Sequence, residues 1–161
     1  MPLTTKKLAV ALVAAVAAIT LVPLGADAST SESTATFTTP IGVWKGTVEF
    51  ETGSGNVKLV FFPGGRLCLR SSPNDGSGGG GEGTGTWRAT GARTFAYEAR
   101  ERQFDKNGTT VGFVLVHQNA TQSGNTFTSS GMSDILDPNG NLIMTVTSKV
   151  NAARAGAPLL C

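Results

Sequence analysis

The chain has 161 residues, of which 13 are Lys or Arg and 11 are Asp or Glu, giving a formal net charge of +2 at pH 7. This length is typical of one domain, and the small net charge gives no electrostatic reason to expect nucleic acid or an anionic membrane as a partner. A single His and two Cys are too few for a Cys/His zinc cluster, so we expect neither a metal nor a cofactor.

The first 28 residues have the parts of a secretory signal peptide. Lys6 and Lys7 precede an apolar run over residues 8–24, and Ala26-Asp27-Ala28 supplies a small-x-small cleavage pattern. A membrane-spanning anchor of roughly 20 apolar residues is the alternative, but such anchors usually lack a cleavage pattern. We therefore expect a signal peptide over residues 1–28, a flexible Ser/Thr-rich lead over 29–39, and a secreted monomer that is not attached to a membrane.

From Pro40 onward, apolar and polar residues alternate, as expected for strands with one buried face. In the first strand Trp44, Gly46, Val48 and Phe50 share one face. The predicted strands are 44–51, 57–62, 66–70, 84–89, 94–104, 110–121, 126–136 and 142–153.

The separators between these strands are rich in Gly, Asn, Asp and Pro, which close tight turns. Residues 53–56 are predicted as the first turn, and residues 71–83, with the sequence SSPNDGSGGGGEG, are predicted as a long flexible loop. Parallel crossovers need a dozen or more residues, so the strands must be antiparallel.

Eight antiparallel strands must hide their edges, and closure into an up-and-down barrel is the common solution. We predict an all-β, eight-stranded meander barrel over residues 40–154, followed by a tail over 155–161. A flattened two-sheet sandwich is the structural alternative. A barrel of eight strands has an interior that fits packed side chains or one small ligand.

The opening of the first strand carries a family resemblance. Ile41-Gly42-Val43-Trp44 resembles the Gly-x-Trp signature of the calycin superfamily, in which lipocalins place the Trp at the closed end of the barrel. The resemblance implies that a cation from the end of the last strand covers this Trp, and Arg154 is the matching residue. Trp44 and Arg154 are then structural. The chain is also similar in general character to small secreted bacterial barrels of the lipocalin-like and allene oxide cyclase-like kinds, although no helix is predicted after the last strand.

Several aromatic side chains are candidates for lining the interior of the barrel. These candidate ligand-binding residues are Phe50, Phe61, Tyr97 and Phe113. If the face of the sixth strand that carries Phe113 and His117 points inward, Glu101 and His117 can form a general acid/base pair, with Tyr97 orienting a substrate. The opposite face of that strand, which carries Val116, is an equally good inner face and would turn His117 toward solvent. Glu101 and His117 would otherwise be an ordinary cross-strand polar pair.

The two cysteines are placed so that a disulfide between them would fix the C-terminal tail. Cys68 lies in the third predicted strand, and Cys161 is the last residue of the sequence. Export permits such a bond, whereas two free thiols or an intermolecular bridge are the alternatives.

Three functions fit this sequence. The first is a secreted barrel that binds a small hydrophobic molecule in its interior. The second, implied by the allene oxide cyclase-like resemblance, is a cofactor-free isomerase or cyclase that uses Tyr97, Glu101 and His117. The third is a protein-binding module, such as a protease inhibitor, that uses the loops at one end of the barrel.

Overall fold

The computed structural model describes residues 39–161, so the predicted signal peptide and nearly all of the predicted lead lie outside the described residues. The described residues form a closed barrel of eight antiparallel strands, each paired with the next, with the last strand paired to the first. The strands are β1 (Gly42–Phe50), β2 (Gly53–Phe61), β3 (Arg66–Pro73), β4 (Gly80–Ala89), β5 (Thr94–Phe104), β6 (Thr110–Ser123), β7 (Thr126–Leu136) and β8 (Leu142–Ala155). The predicted meander barrel is confirmed.

Helices are not found between residues 39 and 161. In this described part of the chain, no helical segment has the length and apolar character needed to cross a membrane.

The first hairpin is tighter than the sequence predicts. The predicted turn at 53–56 is wrong, because β2 begins at Gly53, which pairs with Phe50 of β1. Only Glu51 and Thr52 connect the two strands. The prediction treats Gly53 and Gly55 as turn residues, but both pair with residues of β1. Glycine can pair in this way because the hydrogen bonds between strands join backbone groups, which glycine has like any other residue.

The predicted long loop at 71–83 is also wrong at both ends. β3 continues to Pro73 and β4 begins at Gly80, so that Ser71 pairs with Gly81 and only residues 74–79 connect the strands. Glycines carry no side chain and leave no alternating pattern to read, although their backbone groups still pair across a sheet.

The inner face of β4 consists of Gly81, Gly83, Gly85 and Trp87, which are paired with inward-facing residues of β5. A Cβ atom at Gly83 or Gly85 would overlap backbone atoms of β5. The two strands therefore approach too closely there for a side chain, as is usual where a small barrel turns a corner. The glycines also leave this part of the inner wall without side chains.

One end of the barrel interior is filled by aromatic rings, and we call it the aromatic end. Its members, all buried, are Trp44, Phe61, Phe95, Tyr97 and Phe127. The centroids of neighbouring rings lie 5.0 to 6.1 Å apart, mostly edge to face. This spacing is the favourable one for aromatic pairs, so the aromatic end is a packed core.

Arg154 closes this end from outside. Its guanidinium carbon lies 4.3 Å from the centroid of the Trp44 ring, and its Nη1 donates a hydrogen bond of 2.6 Å to the Ile41 carbonyl. The Trp44 indole donates to the Pro40 carbonyl at 2.7 Å. The Arg154 cation thus lies against the ring face, where its attraction to the ring is strongest.

The C-terminal tail lies on the outer surface of the barrel and is held there by a disulfide. The predicted bond between Cys68 and Cys161 is confirmed. Val43, Val60 and Cys68 are almost fully buried, although the register of their strands turns them away from the interior. They form a small apolar cluster with Ala155 packed against it. The barrel therefore has a second, external core beside the tail.

Candidate functional site

A chain of buried polar side chains crosses the middle of the barrel. The Tyr97 hydroxyl is 2.9 Å from Ser129 Oγ, which donates to Gln118 Oε1 at 2.9 Å. Gln118 Nε2 donates to Ser148 Oγ at 2.8 Å, and Ser148 lies 3.1 Å from Ser133 Oγ. Since Ser129 has one proton to donate, Tyr97 must be the donor to Ser129. Burial raises the pKa of the Tyr97 phenol, although Ser129 opposes this, so the phenol stays protonated.

Beyond this polar chain, on the side of the β1–β2 turn, lies the part of the interior that we call the open half. Its inner face carries Val48 on β1, Val116 on β6 and Val146 on β8, together with Glu101 on β5. These three valines keep part of their surface exposed, whereas the side chains of the aromatic end are almost fully buried. Water therefore reaches apolar side chains in the open half.

The rim of the open half is also apolar. Phe50 and Met144 lie on the inward-facing register of their strands and are 39% and 47% exposed. Leu142 and Ile143, at the start of β8, are exposed as well. Apolar side chains gathered around an opening are typical of the entrance to a site for an apolar molecule.

Among residues 39–161, Glu101 is the one acidic or basic residue that is buried, with 5% of its surface exposed. Its Oε1 accepts a hydrogen bond of 2.6 Å from the Ser71 hydroxyl. A Cβ atom at Gly81 would overlap this carboxylate and the Gln103 amide, so both side chains occupy the space directly above that glycine. Burial raises the pKa of the Glu101 carboxyl above its ordinary value, while the hydrogen bonds from Ser71 and Gln103 partly counteract the increase.

The structure separates Glu101 from His117. β6 turns Gly112, Gln118 and Ala120 inward, and His117 lies on the outer surface, where its Nδ1 is 3.7 Å from Glu98 Oε1. The expected pairing of Glu101 with His117 is therefore wrong, because Glu101 pairs in register with Val114 and the two side chains lie on opposite faces of the wall.

Two of the four candidate aromatic residues lie elsewhere than expected. Phe113 faces outward and is covered by Arg100, whose guanidinium carbon is 4.1 Å from the ring centroid, so the expectation that Phe113 lines the interior is wrong. Phe50 lies at the rim. Phe61 and Tyr97 face the interior but pack within the aromatic end, and only the Tyr97 hydroxyl extends to the polar chain.

Four polar residues that face the interior are not among the site residues predicted from the sequence, namely Gln118, Ser129, Ser133 and Ser148. Small polar side chains at inward positions do not stand out in a pattern of apolar alternation. A signal was present in β7, where Phe127, Ser129 and Ser133 share one face although serine is a weak strand former.

The outer surface has two shallow depressions. One, of about 380 Å³, lies beside the disulfide and is lined by residues including Arg70, Arg100 and Glu82. The other, of about 290 Å³, is lined by hydroxyl and amide side chains and Lys149. Leu69, Phe113 and the disulfide also line the first depression, whereas the lining of the second is polar. Between residues 39 and 161, no group of three or more His, Cys, Asp or Glu residues is placed to hold a metal ion.

Replacing Glu101 with Gln is expected to change how stability depends on pH. Because the folded-state pKa of Glu101 is raised, the wild-type protein binds more protons folded than unfolded and loses stability as the pH rises from the ordinary glutamate value through the raised one. Because glutamine does not titrate, the Glu101→Gln variant does not lose stability in this way as the pH rises. Its free energy of unfolding, relative to wild type, should therefore increase in urea titrations as the pH rises above the ordinary glutamate pKa.

Glu98→Gln is the matched control for this experiment. Glu98 lies on the same strand with its side chain 68% exposed, but its Oε1 is 3.7 Å from His117 Nδ1. Both glutamate variants are therefore compared in a His117→Gln background, where we expect Glu98→Gln to show no comparable trend with pH. A Glu101→Gln difference that stays constant across the pH range would contradict the prediction.

Neither a family model nor a curated protein sequence matches this chain. A solved structure described as "EF1p2_mFAP2b bound to DFHBI" is similar in fold, with a TM-score of 0.52 and 15% sequence identity, over 71% of this chain and 93% of the other. At this identity the similarity concerns the fold alone. Together with the closed meander of eight antiparallel strands, it shows that the chain has the fold of an eight-stranded up-and-down β-barrel.

Proposed function

We propose that the protein is a secreted carrier or sequestering barrel that binds a small apolar molecule in its open half. The observation that carries this proposal is the partial exposure of Val48, Val116 and Val146 on the inner face. Apolar surface that faces water inside a barrel gains about 25 cal/mol per Å² when a ligand covers it. The aromatic end is filled by its own rings, so the open half is the place for a ligand.

Three further features favour this function. The exposed rim residues Phe50 and Met144 provide an apolar entrance. The buried hydroxyl and amide groups behind the valines form the few polar contacts that orient a ligand in an apolar pocket. The similar barrel described as bound to DFHBI holds a small ligand within the same general fold. Acid/base catalysis by Glu101 and His117 is not proposed, since the wall of the barrel lies between them.

Secretion is the second part of the proposal. The Cys68–Cys161 disulfide favours an oxidising compartment, in agreement with the signal-peptide pattern of residues 1–28. We expect the exported protein to begin at Ser29, which N-terminal sequencing of the secreted material checks. An exported protein that keeps the apolar run of residues 8–24 would contradict cleavage.

Ligand binding can be tested with N-phenyl-1-naphthylamine, a neutral dye that fluoresces in apolar surroundings. We expect the purified protein to bind the dye, and Val116→Trp to weaken binding by about tenfold or more because the indole fills the open half. The matched control is His117→Trp, which places the same side chain on the outer face of the same strand and should bind like wild type.

Circular dichroism and urea unfolding show whether each variant remains folded. If Val116→Trp does not fold, Val146→Phe introduces a smaller obstruction on β8. The proposal fails if the wild-type protein does not bind the dye, or if the His117 variant loses binding while the inward-facing variants keep it.

A further inference from the structure

Glu101 is a buried acid, and no cationic side chain among residues 39–161 lies beside it. Its neighbours Arg100 and Arg102 on β5 point outward, where Arg100 covers Phe113 and Arg102 pairs with Glu82 at 2.5 Å. On the adjacent strands the charged residues Arg70 of β3 and Glu82 of β4 are also exposed on the outer face. The inner face near Glu101 therefore contains no cationic side chain among the described residues.

The remaining charged and titratable groups lie at a distance from Glu101. β6 contributes Val114 opposite it, while His117 of the same strand is outside. Tyr97 shares its strand and inner face, but its hydroxyl is engaged with Ser129. Arg154 lies over Trp44 at the aromatic end. The donors that reach the Glu101 carboxyl are thus neutral, the Ser71 hydroxyl and the Gln103 amide.

The position of Glu101 is specifically accommodated by the glycines of β4. Its carboxylate occupies the space that a Cβ atom at Gly81 would need, and the same wall continues without side chains at Gly83 and Gly85. The valines of the open half lie on β1, β6 and β8. The open half therefore has an acidic group on β5 and apolar side chains on β1, β6 and β8, so it offers two chemically different contact surfaces to a ligand.

We propose that the ligand of the open half is a small amphipathic amine, whose ammonium group pairs with the Glu101 carboxylate while its apolar body contacts Val48, Val116 and Val146. A glutamate is almost never fully buried unless it is paired, and charges removed from water need a partner of opposite sign with good hydrogen bonds. An ammonium group supplies both the charge and the donors. This inference rests on the proposed function, because it names the ligand class of the same site.

The proposal also determines the proton balance of binding. Burial raises the pKa of the Glu101 carboxyl, and an ammonium cation beside it lowers that pKa again because it stabilises the carboxylate. Any proton held by the Glu101 carboxyl of the free protein passes to the buffer as the ammonium binds. Binding of an amine should therefore release protons in the pH range just above the ordinary glutamate pKa, whereas an alcohol of the same chain length should release none.

Three probes with the same alkyl chain test the ligand class, namely n-octylamine, 1-octanol and octanoate. Each is titrated against the protein loaded with N-phenyl-1-naphthylamine. We expect octylamine to displace the dye at concentrations about tenfold or more below those of octanol, and octanoate to be the weakest competitor, because a second carboxylate would repel Glu101. Calorimetry of octylamine binding in two buffers of different ionisation enthalpy measures the released proton.

Glu101→Gln should lose the preference for octylamine over octanol and the proton release. Glu98→Gln, the outward-facing control on the same strand, should keep both. If Glu101→Gln does not fold, Ser71→Ala is the second variant, and it should reduce the octylamine preference by removing the hydroxyl that positions the carboxylate.

The possible failures are distinct. Dye binding with equal competition by octylamine and octanol overturns the amine proposal and leaves the ligand-binding function standing. An octylamine preference that survives Glu101→Gln, or stronger competition by octanoate, also overturns it. A wild-type protein that binds none of the dye and the three probes contradicts both the amine proposal and the proposed function.

Discussion

Replacing Cys161 with Ser is expected to lower the free energy of unfolding by about 4 kcal/mol. The disulfide joins residues that are 93 positions apart, so it restricts the unfolded chain across most of the barrel, and a loop of this length gives a large entropic stabilisation. The bond also holds the tail beside the external cluster of Val43 and Val60. Urea unfolding of wild type and variant under non-reducing conditions measures the loss.

Two controls separate the covalent bond from the side chains of the tail. Leu160→Ala changes an exposed neighbour, 63% exposed, and should alter the free energy of unfolding by no more than about 0.5 kcal/mol. Wild-type protein treated with dithiothreitol should unfold like the Cys161→Ser variant, because the same bond is missing. A loss in Cys161→Ser no larger than that in Leu160→Ala would contradict the prediction.

The extent to which sequence predicts this fold differs from strand to strand. β5 has the predicted bounds, Thr94–Phe104, because Phe95, Tyr97, Ala99 and Glu101 are buried and alternate with more exposed residues. β4 is longer than predicted because its first half is rich in glycine, whose contribution to pairing comes from the backbone. Alternation of side chains therefore predicts strands that contribute apolar side chains to the core. It does not predict strands, such as the first half of β4, that contribute mainly backbone pairing.

The face of β6 could not be assigned from its sequence. Phe113 and Leu115 alternate with Val114 and Val116, so both faces are apolar in this part of the strand. The choice is made by the register, which pairs Glu101 with Val114, and by Arg100, which covers the outward-facing Phe113. Both are long-range relationships between strands, and neither leaves a trace within the sequence of β6 itself.

The single acid of the candidate site, Glu101, is among the residues predicted from the sequence, whereas the valines of the open half are not. The predicted lining consists of Phe50, Phe61, Tyr97 and Phe113. Glu101 followed from the alternation of β5, but the absence of a cation beside it depends on the outward direction of Arg100 and Arg102. The neighbours that position the acid, Ser71 and Gly81, fell within the predicted loop at 71–83. A site built partly from residues that resemble a loop appears only when the pairing of β3 with β4 is known.

Replacing Trp44 with Ala is expected to lower the free energy of unfolding by about 4 kcal/mol. Trp44 is fully buried, its ring centroid is 5.0 Å from that of Phe127, and it provides the surface on which Arg154 lies. Truncation leaves a large cavity at the aromatic end, removes the cation–π contact and leaves the Pro40 carbonyl without its donor. Urea unfolding followed by far-UV circular dichroism measures the loss.

Trp87→Ala is the matched control, because Trp87 occupies the same end of the barrel but is only partly buried. Its indole donates to the Phe62 carbonyl at 2.9 Å, and its ring lies 6.3 Å from Phe61. We expect a smaller loss, about 2 kcal/mol, since less apolar surface is withdrawn from water. Because Arg154 contacts Trp44 and not Trp87, Arg154→Ala should cost less stability in the Trp44→Ala background than in the wild type, since only its hydrogen bond to the Ile41 carbonyl remains to be lost there. Equal losses for the two tryptophans, or an Arg154 effect independent of Trp44, would show that the stacked pair does not close this end of the barrel.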